Sequence, residues 1–237
     1  MPTLLDMIRD PARSFKRTTR GDRIRLAAIM FMQLGFVGAL GYALLNQLWL
    51  TAFVACVGLL SVWVPPILAR NWRVHFPLEF ELLLNVFIYA SIFLGEIQGY
   101  YTRFWWWDSV LHFSSGLVLG MVGFLIMYAL YQSGRLRTHP FILSLFAFCF
   151  ALSLGALWEI FEFAMDQLFG TTMQKPMLGD SSGLTDTMFD LILDALGALV
   201  VSVSGYFYVR HKHSGWGIFE HFVHAYFERR HTRRDQS

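Results

Sequence analysis

The stretch from residue 108 to residue 131 reads DSVLHFSSGLVLGMVGFLIMYALY, and it decides the class of fold. Apart from Asp108 and His112 it carries no charged or basic side chain over 24 residues. A helix rises about 1.5 Å per residue, so this segment is long enough to cross a hydrocarbon core of about 30 Å. It therefore predicts a membrane-spanning helix with two polar residues at its start.

The composition of the whole chain agrees with this prediction. The protein is 55% hydrophobic and 15% charged, whereas soluble domains carry about 25% charged residues. Five further segments are long and apolar enough to span: Ile24–Leu45, Leu48–Ala69, Leu78–Gln98, Phe141–Met165 and Thr187–Val209. We therefore expect an all-α bundle of about six transmembrane helices. Since Asp190 and Asp194 interrupt the last segment, five spans or a re-entrant final segment are the alternatives.

The basic residues indicate the orientation. Seventeen of the nineteen Lys and Arg residues fall on one side of the six-span arrangement, and only Arg103 and Lys175 fall on the other. Because Lys and Arg favour cytoplasmic loops, both termini are predicted to be cytoplasmic. The expected organisation is a basic arm at residues 1–23, a membrane domain at 24–209 and a basic amphipathic tail at 210–237. Such a tail lies on an anionic membrane surface.

Acidic residues recur at helical spacing on the outer side of three predicted spans. Residues three or four apart share one helix face. The stripes are Asp108 with His112; Glu159, Glu162 and Asp166; and Asp186, Asp190 and Asp194. Carboxylates are costly in hydrocarbon, so a cluster of them indicates a functional site. Close to the outer end of the bundle, we expect six of these groups to converge within about 10 Å of a common centre: Asp108, His112, Glu159, Glu162, Asp190 and Asp194.

The charge balance of the outer side is strongly negative. Nine acidic residues there face only Arg103 and Lys175. Close carboxylates at low dielectric cannot all be ionised, so either several are protonated or cations lie among them. Helix capping explains Asp108 and Asp186, which begin helices. It does not explain Glu159 and Glu162 near a helix C-terminus, where the dipole disfavours anions, nor Asp194 two turns inside its helix.

A bound divalent metal is the simplest compensation. One imidazole with several carboxylates suits Mn, Fe or Zn, whereas oxygen ligands alone suit Mg or Ca. The candidate ligands are Asp108, His112, Glu159, Glu162, Asp190 and Asp194. Glu96, Asp166 and Asp186 are expected at the rim of the site or behind the ligands.

A family resemblance rests on the same residues. Residues 107–116, WDSVLHFSSG, resemble the W-D-x-x-x-H-F-x-S-G signature of the YjdF-like bacterial inner-membrane proteins. So do residues 159–162, EIFE, followed by Asp166, and the later series Asp186, Asp190 and Asp194. The resemblance covers the last three spans and implies a small multi-span helical protein of the bacterial cytoplasmic membrane. A fainter likeness to VanZ-like proteins rests on D-x-x-x-H and the later acidic residues.

Three classes of function fit these patterns. The first is a metal-dependent hydrolase of a lipid or lipid-linked substrate, with Glu162 as general base. No G-x-S-x-G or H-E-x-x-H motif supports it. The second is a cation- or proton-coupled transporter, and the third is a non-catalytic membrane module with a structural metal. The expected partners are membrane lipids and no nucleic acid. The outer loop, Gln167 to Asp186, is the only long connection between spans, and we expect it to act as a lid.

Overall fold

The computed structural model describes residues 20–71 and 78–211, which form two compact units. Every regular element in this part of the chain is helical. The fold class predicted from the sequence is therefore confirmed as all-α. The predicted basic arm at residues 1–23 and the amphipathic tail at 210–237 lie almost entirely outside the described residues.

The first unit, described through residue 104, contains the helices that precede the acidic stripes. They are α1 (Arg20–Leu45), α2 (Trp49–Asn71), α3 (Leu78–Ile88) and the single turn α4 (Tyr100–Arg103). The predicted third span is helical along its length but widens into a π-helix over Tyr89–Ile97. This wider turn brings residues four apart nearly above one another, so the rings of Tyr89 and Phe93 stack at 4.5 Å. Both rings pack edge-on against the fully buried Phe36.

The second unit, described over residues 105–211, is built on three long helices. They are α5 (Trp107–Gln132), α6 (Pro140–Phe169) and α7 (Leu184–Arg210). Helix α6 begins where Pro140 fixes the first helical dihedral and His139 Nδ1 accepts the Phe141 N–H at 3.2 Å. It ends at Gly170, whose φ of 66° is a left-handed conformation that glycine adopts at little cost.

Small residues and buried hydroxyls allow these three helices to pack closely. A side chain at Gly116 of α5 would overlap the backbone carbonyl of Asp194 on α7. Further along, the Ser202 hydroxyl of α7 donates to the Ser144 carbonyl of α6. At the end of the unit away from the acidic residues, the rings of Tyr128 and Tyr208 meet edge to face, 5.7 Å apart.

Among the described residues, four helices are long and apolar enough to cross a membrane: Leu26–Leu45, Trp107–Gln132, Pro140–Phe169 and Leu184–Arg210. Two shorter apolar helices, Trp49–Ser61 and Leu82–Ile97, fall within the predicted second and third spans. These findings confirm a helical protein with several membrane-length segments. The count of six spans and the cytoplasmic termini stay predictions. Helices α6 and α7 also extend beyond their predicted limits, so the loop between them is residues 170–183.

Candidate metal centre

The His112 imidazole lies at the centre of the acidic cluster, with two carboxylates near each ring nitrogen. Nδ1 is 3.3 Å from Asp194 Oδ2 and 3.8 Å from Glu159 Oε1. Nε2 is 3.7 Å from Asp108 Oδ1 and 3.8 Å from Asp190 Oδ2. The four carboxylates come from α5, α6 and α7, so all three predicted stripes meet at one side chain. His112 is only 7% exposed, which places this arrangement inside the bundle.

Two of these carboxylates have buried oxygens without hydrogen-bond partners. Glu159 is 4% exposed and Asp190 is 2% exposed. Within the described part of the chain, neither oxygen of Glu159 has a hydrogen-bond partner, nor does Oδ2 of Asp190. Buried polar atoms are nearly always paired, because leaving one unpaired costs roughly 1–3 kcal/mol and more for a charged group. These oxygens therefore indicate a cation or proton that satisfies them.

The spacing of three side chains matches the dimensions of a metal site. One ligand atom each from Asp108, His112 and Asp190 lies within 4.8 Å of the other two. In the same group, His112 Nε2 is 3.7 Å from Asp108 Oδ1 and 3.8 Å from Asp190 Oδ2. Metal–ligand bonds are about 2.0–2.2 Å for Zn and 2.3–2.6 Å for Ca, so two ligands of one ion lie up to about twice these lengths apart. Donor atoms at these separations can therefore contact one ion after small side-chain shifts.

Asp194 is placed to orient the imidazole. Its Oδ2 faces His112 Nδ1, and the Ser115 hydroxyl donates to its Oδ1. Asp194 is 1% exposed and lies against Gly155 of α6, where a Cβ atom would overlap the carboxylate. A carboxylate that accepts the Nδ1 proton leaves the Nε2 lone pair directed at Asp108 and Asp190.

Glu162 and Asp186, the other two buried acidic residues of the predicted site, accept hydrogen bonds from residues other than His112. Glu162 is buried, and its Oε1 accepts the Trp158 indole N–H at 2.8 Å. Asp186 is also buried, and its Oδ2 accepts the Lys175 backbone N–H at 2.7 Å. Asp186 therefore supports the loop over the cluster, a place that fits the role expected of it behind the ligands.

The other two residues predicted at the rim are Asp166 and Glu96. The Asp166 carboxylate accepts three hydrogen bonds from the loop that follows α6. The donors are the Thr171 hydroxyl and the Met173 and Gln174 backbone N–H groups, at 2.6–2.9 Å. Glu96 is exposed and belongs to the first unit. Asp166 had a helical spacing that suited the cluster, but a carboxylate at the last turn of a helix can also anchor the chain that leaves it.

Lys175 is the residue of the site that the sequence did not place there. From the loop at 170–183 its ammonium group donates to Asp108 Oδ2, while its backbone holds Asp186. Burial alone would lower the pKa of Lys175, but Asp108, Asp186 and Glu162 together outweigh it, and the pKa lies above its usual range. Lys175 was one of only two basic residues that the sequence predicted on the outer side. This scarcity was the available signal that Lys175 would pair with the acidic cluster.

The other end of this loop is fixed by Asp180. Hydrogen bonds from Ser182 and Thr185 hold the pKa of the Asp180 carboxyl below its usual range. Between these anchors, Met177 and Asp180 exchange backbone hydrogen bonds across a tight turn. The loop is thus organised by its own contacts rather than by helical periodicity.

Comparisons with known proteins concern the same region of the chain. A family model described as a predicted membrane protein family, DUF2238, matches residues 27–211. The chain belongs to this family. An "Uncharacterized protein" of Thermotoga maritima is 26% identical over 174 residues, which are 70% of this chain and 84% of the relative. No solved structure matches the chain significantly. The expected likeness to YjdF-like proteins is consistent with this family, whose description establishes a membrane protein and nothing finer.

Proposed function

We propose that this membrane protein binds a divalent metal ion between Asp108, His112 and Asp190, with Mn, Fe or Zn as the candidate ions. The observation that carries the proposal is the buried, unpartnered oxygen of Asp190, which faces His112 Nε2 together with Asp108. One imidazole nitrogen and two carboxylate oxygens form a donor set typical of transition metals. Asp194 would then fix the tautomer that leaves Nε2 free to bind.

The charge of the site supports a cation. Six carboxylates lie in and around it: Asp108, Glu159, Glu162, Asp186, Asp190 and Asp194. Among the described residues of this unit, the cations near them are Lys175 and, when protonated, His112. Even with both charged, the carboxylates outnumber them by four if all are ionised. A divalent ion at Nε2 requires a neutral imidazole, so together with Lys175 it leaves an excess of three if all six carboxylates are ionised, and protonation of buried acids can remove the rest.

The chemistry we propose for the site is hydrolysis of a lipid or lipid-linked substrate. When bound, the metal would lower the pKa of a coordinated water and polarise the scissile group. Glu162 is proposed as the general base, because the Trp158 indole holds its Oε1 in a fixed direction. Glu159 is the additional ligand, since both of its oxygens are buried and unpartnered in the described chain. We also propose that the site faces outward in a bacterial cytoplasmic membrane, with both termini inside.

A cation- or proton-coupled transporter is the second candidate function. It is favoured by the placement of carboxylates at both ring nitrogens of His112, since such an imidazole can hold two protons in place of a metal. In that case the histidine itself would be the cation of the site. The two proposals differ in whether a chelator changes the stability of the purified protein.

The test compares thermal unfolding of wild type, Asp190→Asn and Glu159→Gln in detergent, with and without a chelator. Glu96→Gln removes an exposed carboxylate of the first unit and serves as the charge-matched control. A metal bound only by the folded form stabilises it. We expect the chelator to destabilise wild type and Glu96→Gln but to have little further effect on Asp190→Asn. A chelator-insensitive wild type together with stabilised variants would exclude the metal and favour the proton site.

If the metal is bound, hydrolysis is tested separately. Wild type in mixed micelles should release product from a lipid or lipid-linked substrate, and Glu162→Gln should lose this activity while retaining the metal. Retained metal with no hydrolysis of any lipid class would favour the third function, a membrane module with a structural metal.

A further inference from the structure

The two oxygens of Asp108 face different partners. Oδ1 points to His112 Nε2, 3.7 Å away, on the side where Asp190 also lies. Oδ2 accepts a hydrogen bond from the Lys175 ammonium group. Asp108 therefore has one oxygen left for an ion, and the loop residue occupies the other.

The ammonium group belongs to a loop segment that hydrogen bonds fix at Gln174 and Lys175. The Lys175 backbone N–H donates to Asp186 Oδ2 at 2.7 Å. The neighbouring Gln174 donates from its side chain to Thr187 Oγ1 at 2.7 Å and from its backbone to Asp166 Oδ2 at 2.9 Å. Because three residues of α6 and α7 hold this short segment, the lysine is held against Asp108 rather than free to swing away.

Divalent ions differ in how many carboxylate oxygens they need. Ca²⁺ takes 6–8 oxygen ligands and commonly binds a carboxylate through both oxygens, whereas Zn²⁺ is satisfied by about four ligands that include nitrogen. Manganese and iron also accept imidazole with single carboxylate oxygens. A carboxylate limited to one oxygen therefore disfavours Ca²⁺ more than it disfavours the transition metals.

Building on the metal site proposed above, we propose that Lys175 determines which ion the site accepts. By occupying Oδ2 of Asp108, it keeps that ligand monodentate and excludes Ca²⁺ in favour of Mn²⁺, Fe²⁺ or Zn²⁺. The lysine does not contact the ion; it acts through Asp108.

The experiment measures the dissociation constants of Ca²⁺ and Mn²⁺ for purified full-length protein in detergent by calorimetric titration. Lys175→Met removes the hydrogen-bond donor and keeps the length of the side chain. Both ions carry the same charge, so the loss of the lysine charge affects both constants similarly, and their ratio reports the number of oxygens available. We expect the ratio of the Ca²⁺ constant to the Mn²⁺ constant to fall at least tenfold in Lys175→Met.

Three further variants separate the hydrogen bond from other effects. Lys175→Arg keeps a charged donor for Asp108 and should keep the wild-type ratio. Asp180→Asn alters the same loop without touching Asp108 and should also keep it. Lys175→Ala repeats the donor-free test if Lys175→Met does not fold.

The outcomes distinguish this inference from the function on which it rests. If wild type binds neither ion, the proposed metal site fails and the inference fails with it. If wild type binds Mn²⁺ and the donor-free variants keep the wild-type ratio, the metal site stands and the role of Lys175 is wrong. If Lys175→Arg, which keeps the donor, shifts the ratio as much as Lys175→Met, the hydrogen bond to Asp108 does not set the selectivity, which also overturns the inference.

Discussion

The substitution Gly155→Ala tests whether Asp194 is held in one position by the helices around it. A Cβ atom at residue 155 would overlap Oδ2 of Asp194 and lie 2.9 Å from its Cγ. Asp194 cannot move aside cheaply, because one oxygen faces His112 and the other accepts from Ser115. The overlap must therefore displace the carboxylate or separate α6 from α7.

The size of the effect follows from three contributions. Alanine gains about 1 kcal/mol over glycine in helix propensity. Against this, overpacking a close contact costs about 1–3 kcal/mol, and disturbing a hydrogen bond to a charged group costs roughly 1.5–3 kcal/mol. The free energy of unfolding should therefore fall by about 1.5–5 kcal/mol. Since Asp194 orients the ligand His112, metal affinity should fall by about 10–100-fold as well.

The assay is denaturant unfolding in micelles, paired with metal titration of the folded variant. Gly38→Ala is the matched control, because Gly38 lies in α1 with no atom within 4 Å of the added methyl group. It should leave stability unchanged or raise it. If Gly155→Ala matches Gly38→Ala in stability and binds metal as wild type does, the packing of Asp194 does not position His112.

Three further predictions concern the site and its surroundings. Ser115→Ala removes the donor to Asp194 Oδ1 and should lower the free energy of unfolding by about 1–3 kcal/mol, measured as above; Ser133→Ala, which affects an exposed hydroxyl, should be nearly silent. The hydrogen bonds that depress the pKa of Asp180 stabilise the loop above the ordinary carboxyl pKa of about 3.9, and this stabilisation is lost as the pH falls below it. The hydrogen-exchange protection of residues 177–185 in wild type, relative to the intrinsic exchange rate, should therefore fall in acid toward that of Asp180→Asn. Reporter fusions after Lys175 and after Arg135 should report opposite compartments, and two cytoplasmic signals would contradict the one-sided site.

Helical spacing was sufficient to find the centre of the site. Asp108 and His112 are four residues apart, as are Asp190 and Asp194, and the structure brings all four side chains to one place. This works because a membrane-length apolar helix has a fixed period, so a polar stripe on it points in one direction. The same reasoning located Glu159, although it could not separate Glu159 from Glu162, which faces Trp158.

Helical periodicity could not predict the positions of residues outside the long helices. Lys175 reaches Asp108 through a loop whose path depends on hydrogen bonds to Asp166 and Asp186, and no spacing rule encodes such a path. Glu96 was assigned to the rim from its predicted depth alone; it is exposed and belongs to the first unit, and its place at the rim stays a prediction. Depth along a span says nothing about which helices are neighbours.

The measurement that tests the central claim most directly is the metal content of the purified protein, determined by elemental mass spectrometry on wild type and Asp190→Asn prepared side by side. The account predicts about one transition-metal ion per wild-type chain and a large loss in Asp190→Asn, with Glu96→Gln unchanged. Wild-type protein that stays folded, carries no metal as prepared and takes up none from added Mn²⁺, Fe²⁺ or Zn²⁺ would contradict it.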